Sequence, residues 1–440
     1  MNNSSNTASF ADALVEIFGS IGRRWWIELG LLGSIGFVFY KLERRIGIWP
    51  AGLVVGVLLI ASWSVPPFRR GLKSLLRLTR HRRQFEVAML NQNSVLAKKR
   101  PTVIRADNRP VGYRLTLKLR SGTSFDDLVR LVPNLEVHYG VREVRVEREV
   151  SNGSRAYATF CLRNPFGQGA IPWPGVYGKS VSGWDPIPIG INEDGDVVSI
   201  PIPGNNLSVG GEPGSGKSVE LSVIIANLLH DPTVHLYLFD GKGVEFGAWI
   251  PLASGYVGAD LSDGVSLLDT ILANMEDRYA TMASKGVRKL ERHHGLGLMV
   301  VVIDELPFYS ANSDTKASKE FNNKLRDVVA RGRAAGIVTI FAAQKPSADT
   351  IPSAIRDLIN LRLAFRCSTK EASDTILGGG WASQGFSATS IAPDERGVGL
   401  FLGGNGVPQK IRGYWVSDND IFSIVDSLLV LRSRNMEGEL

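Results

Sequence analysis

The chain has 440 residues, 44% of them hydrophobic and 21% charged, with a formal net charge of +7. That balance excludes a disordered or fibrous chain and allows two or three domains with full cores. Only two cysteines occur, Cys161 and Cys367, which excludes a disulfide scaffold and any metal site built on CxxC spacing; both read as small buried thiols in a reducing compartment. The charge is uneven. Residues 1–100 hold 15 Lys/Arg against 5 Asp/Glu, and the rest holds 35 against 38. Beyond residue 100 there is no global excess to coat a phosphate backbone, so any nucleic acid there must be met by local positive loops.

In chain order, residues 1–24 read as a cytoplasmic N-terminal segment. Ile46 to Val65, IGIWPAGLVVGVLLIASWSV, is a charge-free run long enough to cross a bilayer, with Trp49 and Trp63 near its ends. Trp25 to Tyr40 is a shorter candidate with Glu28 one turn inside. The sequence therefore predicts a transmembrane hairpin over 25–65 (25–40 and 46–65). The stretch 66–100 carries ten Lys/Arg against Glu86 alone, an excess that places it in the cytoplasm. It lies along anionic headgroups or touches DNA. The expected localisation is the cell membrane, multi-pass, with the bulk of the chain inside.

Residues 101–185 predict a small α+β domain. In GYRLTLKLR, Tyr113, Leu115, Leu117 and Leu119 alternate with polar residues, as in a half-buried strand. SFDDLVRLV follows as a helix with Ser124 as N-cap, then REVRVEREV and RAYATFCLR alternate again. The Pro/Gly-dense stretch 164–190 marks a linker or seam. From 186 to 430 strand and helix patterns take turns: strands at 207–210, 234–239, 298–303, 337–341 and 361–365, and a helix over 264–284. LMVVVI is an unbroken apolar run, so a strand covered on both faces. The fold class expected is α/β, a P-loop (RecA-like) motor preceded by the small α+β domain and the hairpin. Residues 431–440 read as a C-terminal tail.

Gly211, Glu212, Pro213, Gly214, Ser215, Gly216, Lys217 and Ser218 match GxxxxGK[ST], between a strand and a helix as the motif requires. The glycines let backbone N–H groups wrap phosphates, and the helix N-terminus favours the anion. Lys217 is expected to reach the β- and γ-phosphates of ATP, and Ser218 to hold Mg²⁺. Asp304 and Glu305 end the apolar strand. Asp304 is placed to bind the metal and Glu305 to activate the attacking water, so hydrolysis is expected as well as binding. Gln344, just past the strand at 337–341, is placed as a γ-phosphate sensor, or else as a capping or solvent-facing residue. Arg331, Arg333 and Arg362 sit where a ring neighbour takes an arginine finger; each also reads as an ordinary salt-bridged arginine.

Several segments resemble the FtsK/SpoIIIE family of DNA-translocating ATPases. PIGINEDGDVVSIPIPGNNLSVGGEPGSGKS is similar to the family's lead into its phosphate loop. FDGKGVEF (239–246) resembles DPKGxEL, with Gly241 where proline is usual. NMEDRYATMASKGVRKLERHH (274–294), RGRAAGIVTIFAAQKPS (331–347) and LINLRLAFRCSTKEASDTILGGGWA follow further family segments. The resemblance implies a homo-hexameric ring that pumps double-stranded DNA, with ATP sites between subunits. It assigns catalytic roles to Glu305 and Gln344 and, acting in trans, to Arg333 or Arg362. It marks the loop after Gln344 and the region near Lys370 and Arg396 as pore contacts. The short membrane part, and no room for a DNA-reading winged helix after residue 440, are nearest to actinobacterial plasmid-transfer (Tra) proteins, which leaves a separate DNA-recognition partner as an expectation. The function implied is conjugative transfer of a plasmid or integrative element. The alternatives are a septal chromosome-segregation pump and, more remotely, a type VII secretion-like protein-export ATPase.

Overall fold

The computed structural model describes residues 78–89, 98–149, 151–167, 169–176, 182–344, 352–403 and 406–437. The hairpin segments 25–40 and 46–65 lie outside these residues, as does most of the basic stretch before 100. Among the described residues no helix is long and apolar enough to cross a membrane. The longest, over 261–285 and 418–437, carry acidic and basic side chains along their length. The multi-pass membrane localisation expected from the sequence is corrected on that finding, and it takes no part in the functional reading.

The chain divides into two compact units between Asn164 and Pro165. The first has strands β1 (Thr102–Arg109) and β2 (Gly112–Lys118), helix α1 (Phe125–Tyr139), and strands β3 (Glu143–Arg148) and β4 (Arg155–Cys161). The strands form an antiparallel sheet in the order β1-β2-β4-β3. The alternation in GYRLTLK puts Leu115 and Leu117 into a core with Leu128, Leu131 and Leu135 of α1, joined by Phe85 and Met89 from a helix over 78–89. Ser124 starts α1 through a capping box: its side chain accepts the Asp127 N–H and the Asp127 carboxylate accepts the Ser124 N–H at 2.7 Å.

The second unit is built on a mixed sheet. Its strands are β5 (Ile171–Pro172), β6 (Ile187–Asn192), β7 (Val197–Ile200), β8 (Leu207–Gly210), β9 (His235–Phe239), β10 (Gly255–Val257), β11 (Met299–Ile303), β12 (Ile337–Ala343), β13 (Leu361–Phe365), β14 (Val398–Leu402) and β15 (Gln409–Trp415). The order is β10-β9-β11-β12-β8-β13-β14-β15-β6-β7, with β5 beside β15. From β10 to β13 the strands are parallel, and from β13 to β7 antiparallel. The helices are α2 (Lys217–Leu229), α3 (Leu261–Lys285), α4 (Leu306–Ser310), α5 (Thr315–Arg331), α6 (Ser353–Arg356), α7 (Lys370–Leu377) and α8 (Asp418–Glu437).

The parallel half has helices on both faces, which is why its strands read as continuous apolar runs. In β11, Val300 and Val302 pack with the α2 and α8 core, whereas Met299, Val301 and Ile303 pack with α3 and α5. Arg278 of α3 is buried and donates to the Gly297 and Ala335 carbonyls at 2.7 and 3.0 Å, tying α3 to the loops that enter β11 and β12.

Candidate active site

Parallel strands bring their C-terminal ends to one edge. The order β9-β11-β12-β8-β13 therefore lines up five loops: Asp240 after β9, Asp304 and Glu305 after β11, Gln344 after β12, the 211–216 turn after β8, and Arg366 after β13. The central insertion of β12 between β8 and β11 sets the spacing from the phosphate loop to the acidic pair.

The turn after β8 is held from both sides. The Gly211 N–H donates to the Ala343 carbonyl at 3.2 Å, and the Glu212 N–H to the Arg366 carbonyl at 3.0 Å. The Glu212 carboxylate also pairs with the Arg366 guanidinium at 2.8 Å. Glycine is required at Gly211, where a Cβ would lie 2.7 Å from the Phe365 Cβ, and at Gly216, which adopts φ 118°. At the tip, Pro213 and Gly214 are exposed, and a Cβ on Gly214 would meet nothing within 4 Å.

Lys217 opens α2 and is buried. Its Nζ lies 2.5 Å from Asp304 Oδ1 and 3.2 Å from the Asp304 carbonyl. Asp304 is fully buried, and its Oδ2 has no hydrogen-bond partner among the described residues. Both Glu305 oxygens accept the Gln344 N–H, at 3.2 and 3.0 Å. Burial pushes the Glu305 carboxyl above the usual carboxylate range, opposed by the Gln344 N–H and the nearby Lys217 and Lys242 ammoniums.

These residues fit a nucleoside triphosphate with a divalent cation. The N-cap of α2 is a glycine with no side-chain cap, so the first N–H groups of that helix point at the turn without an internal acceptor. The buried, unpaired Asp304 Oδ2 is a hard oxygen of the kind Mg²⁺ takes, and Ser218 is the first-turn hydroxyl of the same helix. Among the described residues no group of three or more His, Cys, Asp or Glu gathers to hold a metal on its own.

The arginines are placed elsewhere. Arg333 Nε donates to the Gly204 carbonyl at 2.8 Å. Arg362, near the start of β13, donates to the Ile359, Ile376 and Arg356 carbonyls at 3.3, 3.2 and 3.0 Å. Arg331 is paired with Glu276 and Asp327 at 2.5 and 2.9 Å. None of the three meets Lys217, Asp304, Glu305 or Gln344. The loop after Gln344 lies outside the described residues from 345 to 351.

Asp240 was not singled out by sequence reasoning. It is fully buried, and its carboxylate accepts N–H groups of Gly243, Glu245 and Phe246, each at 2.9 Å. This folds FDGKGVEF into a fixed turn beside Asp304. Gly241 explains its own departure from proline: a Cβ there would lie 2.4 Å from the Phe308 ring of α4, the helix that Glu305 leads. An aspartate followed by Gly-Lys-Gly at a strand end was the available signal.

Comparison with known proteins bears on the same segments. The FtsK/SpoIIIE family profile matches residues 183–378. The DNA translocase FtsK of Staphylococcus aureus (strain COL) is 31% identical over 284 residues, covering 60% of this chain and 33% of that protein. The DNA translocase SftA of Bacillus subtilis (strain 168) is 27% identical over 359 residues, covering 74% of this chain and 35% of that protein. The chain thus spans about a third of the length of these relatives. Among solved structures, the pCW3 conjugation coupling protein TcpA, in its monomer form with ATPγS, superposes with a TM-score of 0.53 at 19% identity. That match covers 80% of this chain and 99% of that one, and the likeness is one of fold. Residues 183–378 are an FtsK/SpoIIIE domain of P-loop ATPase type, and the chain is homologous to the DNA translocases FtsK and SftA.

Proposed function

We propose that the chain hydrolyses ATP and couples the hydrolysis to movement along double-stranded DNA. The observation that carries the reading is the meeting of Lys217, Asp304, Glu305 and Gln344 at one sheet edge, in a chain homologous to proteins named DNA translocases. ATP enters with its phosphates along the 211–216 turn. Lys217 exchanges the Asp304 carboxylate for the β- and γ-phosphates. Mg²⁺, held by Ser218 and Asp304, would offset phosphate charge. Glu305, its carboxyl made a better proton acceptor by burial, takes a proton from the water that attacks the γ-phosphorus, and ADP leaves. Gln344 ties Glu305 to β12, so a change at the γ-phosphate is passed to that strand and to the loop beyond it.

The assembly proposed is a homo-hexameric ring around DNA. The cellular role proposed is conjugative transfer of a plasmid or integrative element, supported by the fold shared with the pCW3 conjugation coupling protein TcpA. Homology to FtsK supports chromosome segregation as the second reading. ATP turnover by the full chain with and without linear duplex DNA tests the motor. Duplex should raise turnover, and Glu305→Gln should lower it by about 10²-fold or more while ATP still binds. A rate indifferent to every duplex tried would refute the coupling. Loss of plasmid transfer on deletion, with chromosome partition intact, distinguishes the two cellular roles.

A further inference from the structure

The phosphate loop has a second wall that none of the residues above explains. Gly397 donates its N–H to the Ser215 carbonyl at 2.9 Å. A Cβ on Gly216 would lie 2.9 Å from the Gly397 Cα, so the two glycines pack backbone to backbone. Gly397 adopts φ +74°, and its carbonyl accepts the Gly413 N–H at 2.8 Å. The loop that carries it is fixed. Glu395 accepts the Ala392 N–H at 3.0 Å and pairs with Lys410 at 3.1 Å.

This wall stands on a definite side. Gly399 pairs with Phe365, so the 392–397 loop flanks the phosphate loop from the β13 side. Glu305 and Gln344 flank it from the β11–β12 side. A triphosphate whose γ-phosphate faces Glu305 therefore directs its nucleoside toward β13. Two arginines lie there. Arg366 is engaged by Glu212. Arg396 is exposed, adjoins Gly397, and makes no side-chain hydrogen bond or ion pair among the described residues.

We propose that Arg396 binds the nucleoside end of ATP, its planar guanidinium stacking on the base or bonding to the ribose. Arginine suits this because it combines a flat cationic face with several fixed donors. The proposal gives Arg396 to the nucleotide in place of the DNA-pore contact expected for it from sequence, because its loop is bonded to the phosphate loop. It rests on the proposal that the 211–218 site takes ATP.

The test is calorimetric titration of the full chain, in Mg²⁺, with ADP and separately with tripolyphosphate. Arg396→Ala should weaken ADP about tenfold and leave tripolyphosphate within about twofold. Arg396→Lys, which keeps the charge but not the plane, should recover little of the loss. Unchanged ADP affinity in Arg396→Ala overturns the proposal. So does an equal loss for ADP and tripolyphosphate, which would make Arg396 a phosphate ligand. A wild-type chain that binds neither ADP nor ATP would instead sink the nucleotide reading itself, which is a distinguishable result.

Discussion

Replacing Glu220 by glutamine should remove a pH dependence from the stability of the second unit. Glu220 lies one turn past Lys217 in α2. It is 1% exposed, and neither carboxyl oxygen has a hydrogen-bond partner among the described residues. A Cβ on Gly413 would sit 2.3 Å from its Oε2, so the carboxyl fills the space left by that glycine. Burial raises its pKa well above the usual carboxylate range, because an unpaired ion there would lose its hydration with nothing in exchange. The folded chain thus keeps a proton that the unfolded chain gives up near its ordinary value of 4.5. Folded protein binds more protons than unfolded, so stability falls as pH rises from the unfolded value toward the raised folded one. A difference of one bound proton sets the upper limit of that slope at about 1.4 kcal/mol per pH unit. Urea unfolding of wild type and Glu220→Gln, followed by tryptophan fluorescence between pH 5.5 and 7.5, measures it. The wild-type midpoint should fall with pH relative to the variant, with a slope no steeper than that limit. Parallel midpoints at all pH values would refute the neutral buried acid.

Lys217→Ala should destabilise the ligand-free second unit by about 3–5 kcal/mol, since it strands a buried Asp304 charge; adding Asp304→Ala should restore most of the loss, which a double-mutant cycle in urea reads directly. Asp240→Ala removes the acceptor for three N–H groups and should speed hydrogen exchange at Gly243, Glu245 and Phe246, with little change at β11; unchanged exchange would show that the turn holds without it. Gly241→Ala should cost about 1–3 kcal/mol through its clash with Phe308, and Phe308→Ala should relieve it. Arg362→Ala should lower the melting temperature of dilute, unassembled chain, because it frees three carbonyls; an unchanged melt with lost activity in the assembled state would favour a role toward a neighbour.

Much of the second unit was legible because its signals are local. The run LMVVVI announces a doubly covered strand, and the glycines of 211–216 announce a turn that no larger residue can follow. Arg362 illustrates what was not legible. From sequence it reads as an arginine finger or an ordinary salt-bridged arginine, yet its guanidinium donates to the carbonyls of 356, 359 and 376, contacts set by tertiary packing. Glu212 is similar. From sequence it reads as one of the phosphate-loop residues around the nucleotide, whereas in the fold Arg366, 154 residues on, pairs with its carboxylate. The antiparallel extension β14-β15-β6-β7 joins the chain's last strands to segments before the phosphate loop, a pairing that periodicity does not encode. Gly397 is one of 47 glycines, and only the fold shows that it packs on Gly216.

Coupling between the nucleotide site and DNA is the centre of the account, and steady-state ATP hydrolysis by the full chain addresses it most directly. Wild type should turn over ATP slowly alone and faster when linear double-stranded DNA is added. Glu305→Gln should bind ATP and stay slow in both conditions. Turnover that does not change with any double-stranded DNA, or a Glu305→Gln chain as active as wild type, would contradict it.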